Sequence, residues 1–289
     1  MQSKFGKDKS ILVPTDFSDS CSNALLHAIE HSRDFDSKIY LLHVVQDDDY
    51  NHEGTEELFA YPTVKDHNSY KHIHEKLQHY ANSFEYKHIV PIIRKGDIFE
   101  AITESVYELN ADLIFLGTHG KQGIQHLIGS YAVKVLDMSS IPVVIIQEDC
   151  SPKSCKTIVY PIQAQEEDRQ KAEYAVHLAK AYNATIHLFP KVESKGNDIM
   201  KVKQMLNQIR EYFSKYDVSY ITVNNNHIHG NFDNLVLNYC KDVGADLLLI
   251  INNPHYHLLF SAQEESLIFN SLYVPAMCIN YRKMKHIVR

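Results

Sequence analysis

No apolar run in this 289-residue chain approaches the about 18 residues that a membrane-spanning helix needs. The N-terminal MQSKFGKDKS is polar and lacks the apolar core of a signal peptide. No membrane partner is expected, and the expected location is cytoplasmic. Basic charge is short as well: 29 Lys and Arg stand against 36 Asp and Glu, a formal net charge of −7 with histidine neutral. A chain without a general basic field is not expected to bind nucleic acid. The phosphate-cradling pattern that ends in Gly-Lys-Ser/Thr is missing. No Ser-His-Asp or Cys-His set assembles from neighbouring motifs either, so a dedicated enzyme is not expected.

Cysteine is sparse and odd in number. Cys21, Cys150, Cys155, Cys240 and Cys278 lack metal-like spacing. Cys21 and Cys240 fall on predicted helices and Cys278 in an apolar strand, and Cys240 and Cys278 read as small buried hydrophobes. Cys150 and Cys155, in the polar EDCSPKSCK, are the pair open to disulfide formation, which a reducing cytosol disfavours.

What is present is written twice. KSILVPTDF at Lys9–Phe17 is echoed by KTIVYPIQA at Lys156–Ala164, and SKIYLLHVV at Ser37–Val45 by ATIHLFPKV at Ala184–Val192. RKGDIFEAI then matches IHGNFDNLV, with Gly96 opposite Gly230, and NADLIFL matches GADLLLI, with Asp112 opposite Asp246. IPVVIIQ finally matches VPAMCIN. The preserved order indicates a tandem duplication, with its seam at EDCSPKSC.

Each copy alternates short β-rich apolar runs with longer helical patterns. ILVP, KIYLLHVV, HIVPIIR, DLIFLG and PVVIIQ suit a parallel sheet covered on both faces. Between the first two, SDSCSNALLHAIEHSRDF offers Ser18 as an N-cap and an apolar face of Ala24, Leu25, Ala28 and Ile29. DIFEAITESVYELN repeats the pattern with Ile98, Ile102, Val106 and Leu109. The expected fold class is α/β: two tandem doubly wound domains, each a five-stranded parallel sheet, over residues 1–149 and 150–289.

In such a sheet, ligands bind beyond the carboxyl ends of the strands. The first strand ends in PTDFS, which places Asp16 there. The fourth ends in GTHGKQGIQHLIGS, four glycines in the fourteen residues Gly117–Ser130. Glycine lets backbone N–H groups approach an anion, and Gly129 and Ser130 at a helix start add donors and the helix dipole. Phosphates suit that arrangement. Asp16, an acceptor, suits a ribose hydroxyl or a base amino group.

ILVPTDFSDSCSNAL, KIYLLHVV, ADLIFLGTHGKQG and GSYAVKVL with IPVVII resemble the universal stress protein (UspA-like) family, here as a tandem two-domain member. The resemblance covers nearly all of the first half and, more loosely, the second. It implies a Rossmann-like fold of the adenine nucleotide alpha hydrolase-like (HUP) class and binding of ATP, with Mg, or a related adenine nucleotide. It implies phosphate contacts from Gly117, Gly120, Gly129 and Ser130, and an adenosine surrounded by Asp16 and the backbone around Thr15 and Val44. Pro14, Thr118, His119 and Tyr131 flank these positions and complete the candidate site. Action in a stress response through an unknown protein partner is implied too, with at most weak ATP hydrolysis or autophosphorylation. The alternative is an interaction scaffold in which both sites are degenerate.

Two departures bear on that choice. Only eight residues separate Gly120 from Gly129, one fewer than in the family's loop. Losing one residue before a helix shifts its start by about 1.5 Å and turns it by roughly 100°. In the second half, Gln163 replaces the acidic residue, and INNPHYHLLFSAQEESLIF, with Pro254 opposite Gly120, replaces the glycine loop. Proline removes a donor, and His255, Tyr256 and His257 are expected to fill the site. Asn252 and Asn253 retain hydrogen-bonding capacity. That half is expected to be a scaffold.

No metal is expected. His72, Glu75 and His79 share a helical face, but i to i+7 spans about 10.5 Å, too far for one ion. His227 and His229 read as surface groups. Asp47–Asp66 is expected to be a mobile loop beside the candidate site. The last strands of the two copies are apolar edges that need covering. The basic unit expected is thus a pseudo-twofold monomer, with a homodimer as a further step.

Overall fold

The structure, a computed structural model, describes residues 9–45, 67–118, 128–148, 150–192, 196–225, 230–252 and 266–281. In the first half the chain runs β1 (Ser10–Pro14), α1 (Asp19–Phe35), β2 (Lys38–Val45), α2 (His67–Asn82), β3 (Ile89–Lys95), α3 (Ile98–Glu108), β4 (Leu113–Thr118), α4 (Ile128–Met138) and β5 (Val143–Gln147). In the second it runs β6 (Thr157–Ile162), α5 (Lys171–Tyr182), β7 (Thr185–Pro190), α6 (Gly196–Lys215), β8 (Tyr220–Thr222), α7 (Phe232–Val243), β9 (Leu247–Asn252) and β10 (Ala276–Asn280). A 3₁₀ turn, Glu166–Gln170, precedes α5.

All ten strands form one sheet in the order β3-β2-β1-β4-β5-β10-β9-β6-β7-β8. Within each half every pairing is parallel, and the strand order is the same. At the centre β5 and β10 pair antiparallel, with Val144 opposite Met277. The two apolar edges therefore cover each other within one chain, as the sequence leads one to expect.

Successive strand residues face opposite sides, which divides the apolar interior into two layers. Ile11 and Val13 join one, under α1, α2, α5 and α6, while Leu12 joins the other, under α3, α4 and α7. The first layer crosses the seam without a break, from Leu25 and Phe115 through Val144 and Met277 to Ile158.

The duplication is visible at the level of single turns. Gly96 (φ 114°) and Gly230 (φ 155°) hold positive backbone angles before Asp97 and Asn231. Those two side chains cap α3 and α7 by accepting from the second and third helical N–H groups. Asp36 and Asn183 close α1 and α5 in the left-handed conformation. Asp112 accepts from Ser10 N at 3.1 Å, and Asp246 accepts from Lys156 N at 2.8 Å and Thr157 N at 2.9 Å. The repeated aspartate thus clamps the amino end of each first strand, opposite the edge that carries the candidate site.

Among the described residues, no helix is long and apolar enough to cross a membrane.

Candidate functional site

The carboxyl edge of the first half is built from β1, β2 and β4. Pro14 ends β1, and Thr15, buried, continues the sheet by donating its N–H to Leu42 O at 2.8 Å. The chain then turns sharply. Phe17 N donates to Thr15 Oγ1 at 3.0 Å and Ser18 N donates to Asp16 Oδ1 at 2.8 Å. Phe17 itself lies at φ 68°, a conformation that costs a non-glycine residue on the order of 1–3 kcal/mol and is found where surroundings over-determine it. Ser18 Oγ accepts from Cys21 N at 3.4 Å, the cap read from the sequence. Asp16 is therefore half-buried at the mouth of β1, held by the turn that starts α1.

Around that turn the side chains interlock. His43 on β2 donates from Nδ1 to Thr15 O at 2.8 Å, since the carbonyl can only accept, so the tautomer is fixed by the backbone. Burial pushes its imidazole below the ordinary histidine range, with the Thr15 bond acting in the other direction. The Phe17 ring lies 4.7 Å from His43, with Lys76 Nζ of α2 4.1 Å from its centroid. Tyr80 of α2 hydrogen-bonds Ser22 at 2.6 Å. Val44 and Thr118 are buried at the strand ends.

Gly117 has a packing explanation. A Cβ there would overlap the Ser20 carbonyl and lie 2.8 Å from Cys21 N, backbone atoms of the first turn of α1. Its bareness lets α1 start against β4. Gly129, Ser130 and Tyr131 occupy the first turn of α4, where backbone N–H groups have no intrahelical acceptor. His119 and Gly120 lie outside the described residues, as do Asn253, Pro254, His255–His257, His227 and His229, and residues 47–66 up to the start of α2. The structure thus brings Pro14, Thr15, Asp16, Val44, Gly117 and Thr118 together along one strand edge.

The equivalent edge of the second half is built around a buried ion pair. At the end of β6, Gln163 N donates to Asp168 Oδ2 at 2.7 Å. Lys171 Nζ lies 2.7 Å from Asp168 Oδ1 and donates to Pro161 O at 2.6 Å, with side-chain exposures of 2% and 4% for Lys171 and Asp168. Tyr160 donates its hydroxyl to Asp168 O. Desolvation lowers the Lys171 pKa, and the Asp168 charge opposes that shift. Nothing in the pattern of the sequence EEDRQKAE marks this pair. Asn252, a candidate hydrogen-bonding group by sequence, is 2% exposed and already engaged. Its Nδ2 donates to Asp137 Oδ1 of α4 at 3.1 Å and to Asn280 Oδ1 at 2.8 Å.

His72, Glu75 and His79 are exposed on α2, and the described residues hold no cluster of three metal-ligating groups. All five thiols are free. Burial raises Cys155 to about 12 and Cys150 to about 11, which keeps both in the unreactive thiol form.

A sequence model of the universal stress protein family matches residues 8–147. Universal stress protein MJ0531 of Methanocaldococcus jannaschii is 31% identical over 144 residues, spanning 48% of this chain and 82% of that protein. Universal stress protein G of Salmonella typhimurium is 25% identical over 150 residues, spanning 48% of this chain and 99% of that one. Among solved structures, a universal stress protein from Archaeoglobus fulgidus superposes with a TM-score of 0.72 at 17% identity, over 97% of this chain and 99% of its own. That last likeness is one of fold, and it extends across both halves.

Proposed function

Because the chain belongs to the universal stress protein family, we propose that its first half, residues 1–149, binds ATP or a related adenine nucleotide. The second half, residues 150–289, serves as a scaffold. The observation that carries this reading is the asymmetry of the two strand edges. At the end of β1 a half-buried carboxylate, Asp16, stands beside the buried Thr15 and Val44. At the end of β6 Gln163 stands in place of that carboxylate, and its backbone N–H is held by Asp168 of the buried Asp168–Lys171 pair.

In this reading Asp16 accepts a hydrogen bond from the ribose or the base, and the turn through Ser18 holds the carboxylate in place. The first turn of α4, with Gly129 and Ser130, supplies N–H donors and the positive end of the helix dipole to the phosphates. Magnesium enters with the triphosphate. The wider role, action in a stress response through a protein partner, rests on family membership.

The test is acid release of nucleotide from purified protein, followed by titration of emptied protein with ATP and magnesium. Asp16→Asn is the informative variant, because an amide oxygen can still accept from Ser18 N while the charge is gone. We expect saturable binding by wild type and a loss of about tenfold or more in the variant, with unchanged melting temperature. No binding at about millimolar ATP points to the scaffold alternative for both halves, and equal binding by the variant means that Asp16 does not hold the nucleotide.

A further inference from the structure

Open space lies one strand further out from the end of β6. Beyond the ends of β7 and β8, and beneath α6, lies a groove of about 540 Å³. That volume falls within the about 300–1,000 Å³ of ordinary small-molecule sites. Three of its lining side chains are cationic, Lys191, Lys203 and Arg210, and none of the described lining residues carries a carboxylate. Asp198, in the first turn of α6, pairs with Lys201 at 3.7 Å and is not among the lining residues.

The groove is built rather than incidental. The Arg210 guanidinium is oriented by Thr222 Oγ1, which accepts from Nε at 3.1 Å and from Nη2 at 2.8 Å. Those bonds use two of its five N–H donors. The remaining three are of the kind that meets a carboxylate or phosphate in two-point fashion. The groove floor is fixed by Asn225, 2% exposed, whose amide donates to Pro190 O at 2.8 Å. Val202 and Leu206 of α6 give one wall an apolar character. The duplication sharpens the contrast, because Lys191 stands where the repeat places the buried, apolar Val44.

We propose that the second half binds a small organic anion in this groove, its phosphate or carboxylate held by Arg210 and Lys203 and its apolar body against Val202 and Leu206. The site has no glycine loop and is separate from the proposed nucleotide site. Either proposal can fail while the other stands.

The probe is 1-naphthyl phosphate, with 1-naphthoate as the carboxylate arm and 1-naphthol as the neutral control, titrated calorimetrically into the full chain at low ionic strength. Low salt matters because exposed charges are otherwise screened. We expect saturable binding of one or both anions at one per chain, with naphthol at least about tenfold weaker. Lys203→Glu and Arg210→Gln should each weaken the anion about tenfold, the first without lowering the melting temperature. Asp16→Asn should leave the affinity unchanged. Preference for phosphate over naphthoate, or the reverse, identifies which anion the groove takes. The inference is overturned by naphthol binding as tightly as the anions, by indifference to both groove substitutions, by absence of saturable binding, or by loss of binding in Asp16→Asn.

Discussion

Gly117 shows how one residue can invite two explanations. In the sequence it opens a glycine-rich stretch that suits phosphates; in the structure a side chain there would strike the backbone of Ser20 and Cys21. Replacing it with alanine forces the first turn of α1 away from β4, and the contacts are with backbone, which cannot swing aside. We expect Gly117→Ala to lower the melting temperature by several degrees, the consequence of about 1–3 kcal/mol of overpacking. Calorimetry with and without nucleotide checks this. A variant as stable as wild type would show that the close approach of α1 is not needed. Asp16 likewise has a structural duty, accepting from Ser18 N, so its functional role is tested by asparagine rather than alanine.

At the scale of elements, most of the plan was legible. Ser18 capping α1, the glycine before each Asx cap at Asp97 and Asn231, and the apolar edges of β5 and β10 all follow from local patterns. These features are local or repeated, and sequence carries such signals directly. The start of α5 was not legible. Asp168 and Lys171 are three residues apart, the spacing of an ordinary exposed ion pair, and only the fold buries them under the end of β6. Asn252 misled for the same reason, since its partners Asp137 and Asn280 lie 115 and 28 residues away. The pairing that joins α5 to β6 predicts a strong asymmetry among variants. Lys171→Met strands a buried carboxylate and should cost about 3–5 kcal/mol in denaturant unfolding. Adding Asp168→Leu to it should recover part of that loss, as removing both charges of a buried pair is far less costly than removing one. A single variant as stable as wild type would mean that the pair does not hold this edge.

Across the whole molecule, the two halves meet through β5 and β10 and, on one face, through α1 and α5. His31 of α1 hydrogen-bonds Tyr182 of α5, and its ring stacks on Phe35 at 4.8 Å. Both His31 and Tyr182 border a cavity of about 60 Å³ at the seam. Burial lowers the His31 pKa from 6.5 to about 3. The folded state then binds its proton less readily than the unfolded chain, so this contribution is complete above about pH 6.5 and is lost as pH falls toward 3. Within that window the slope attributable to His31 is about 1.4 kcal/mol per pH unit. His27 and His43 are lowered by burial as well and add to the total. Unfolding titrations between pH 7 and 4 should therefore show stability falling with acid, and His31→Phe should flatten the curve by about one proton's share. An unchanged slope would contradict the account of the seam.

The central claim is that one duplicated half holds a nucleotide and the other does not. Equilibrium dialysis of emptied full-length protein against labelled ATP with magnesium tests it most directly. One nucleotide per chain, lost in Asp16→Asn and retained in Gln163→Ala, is the predicted result. Two per chain, or one that survives Asp16→Asn, would contradict it.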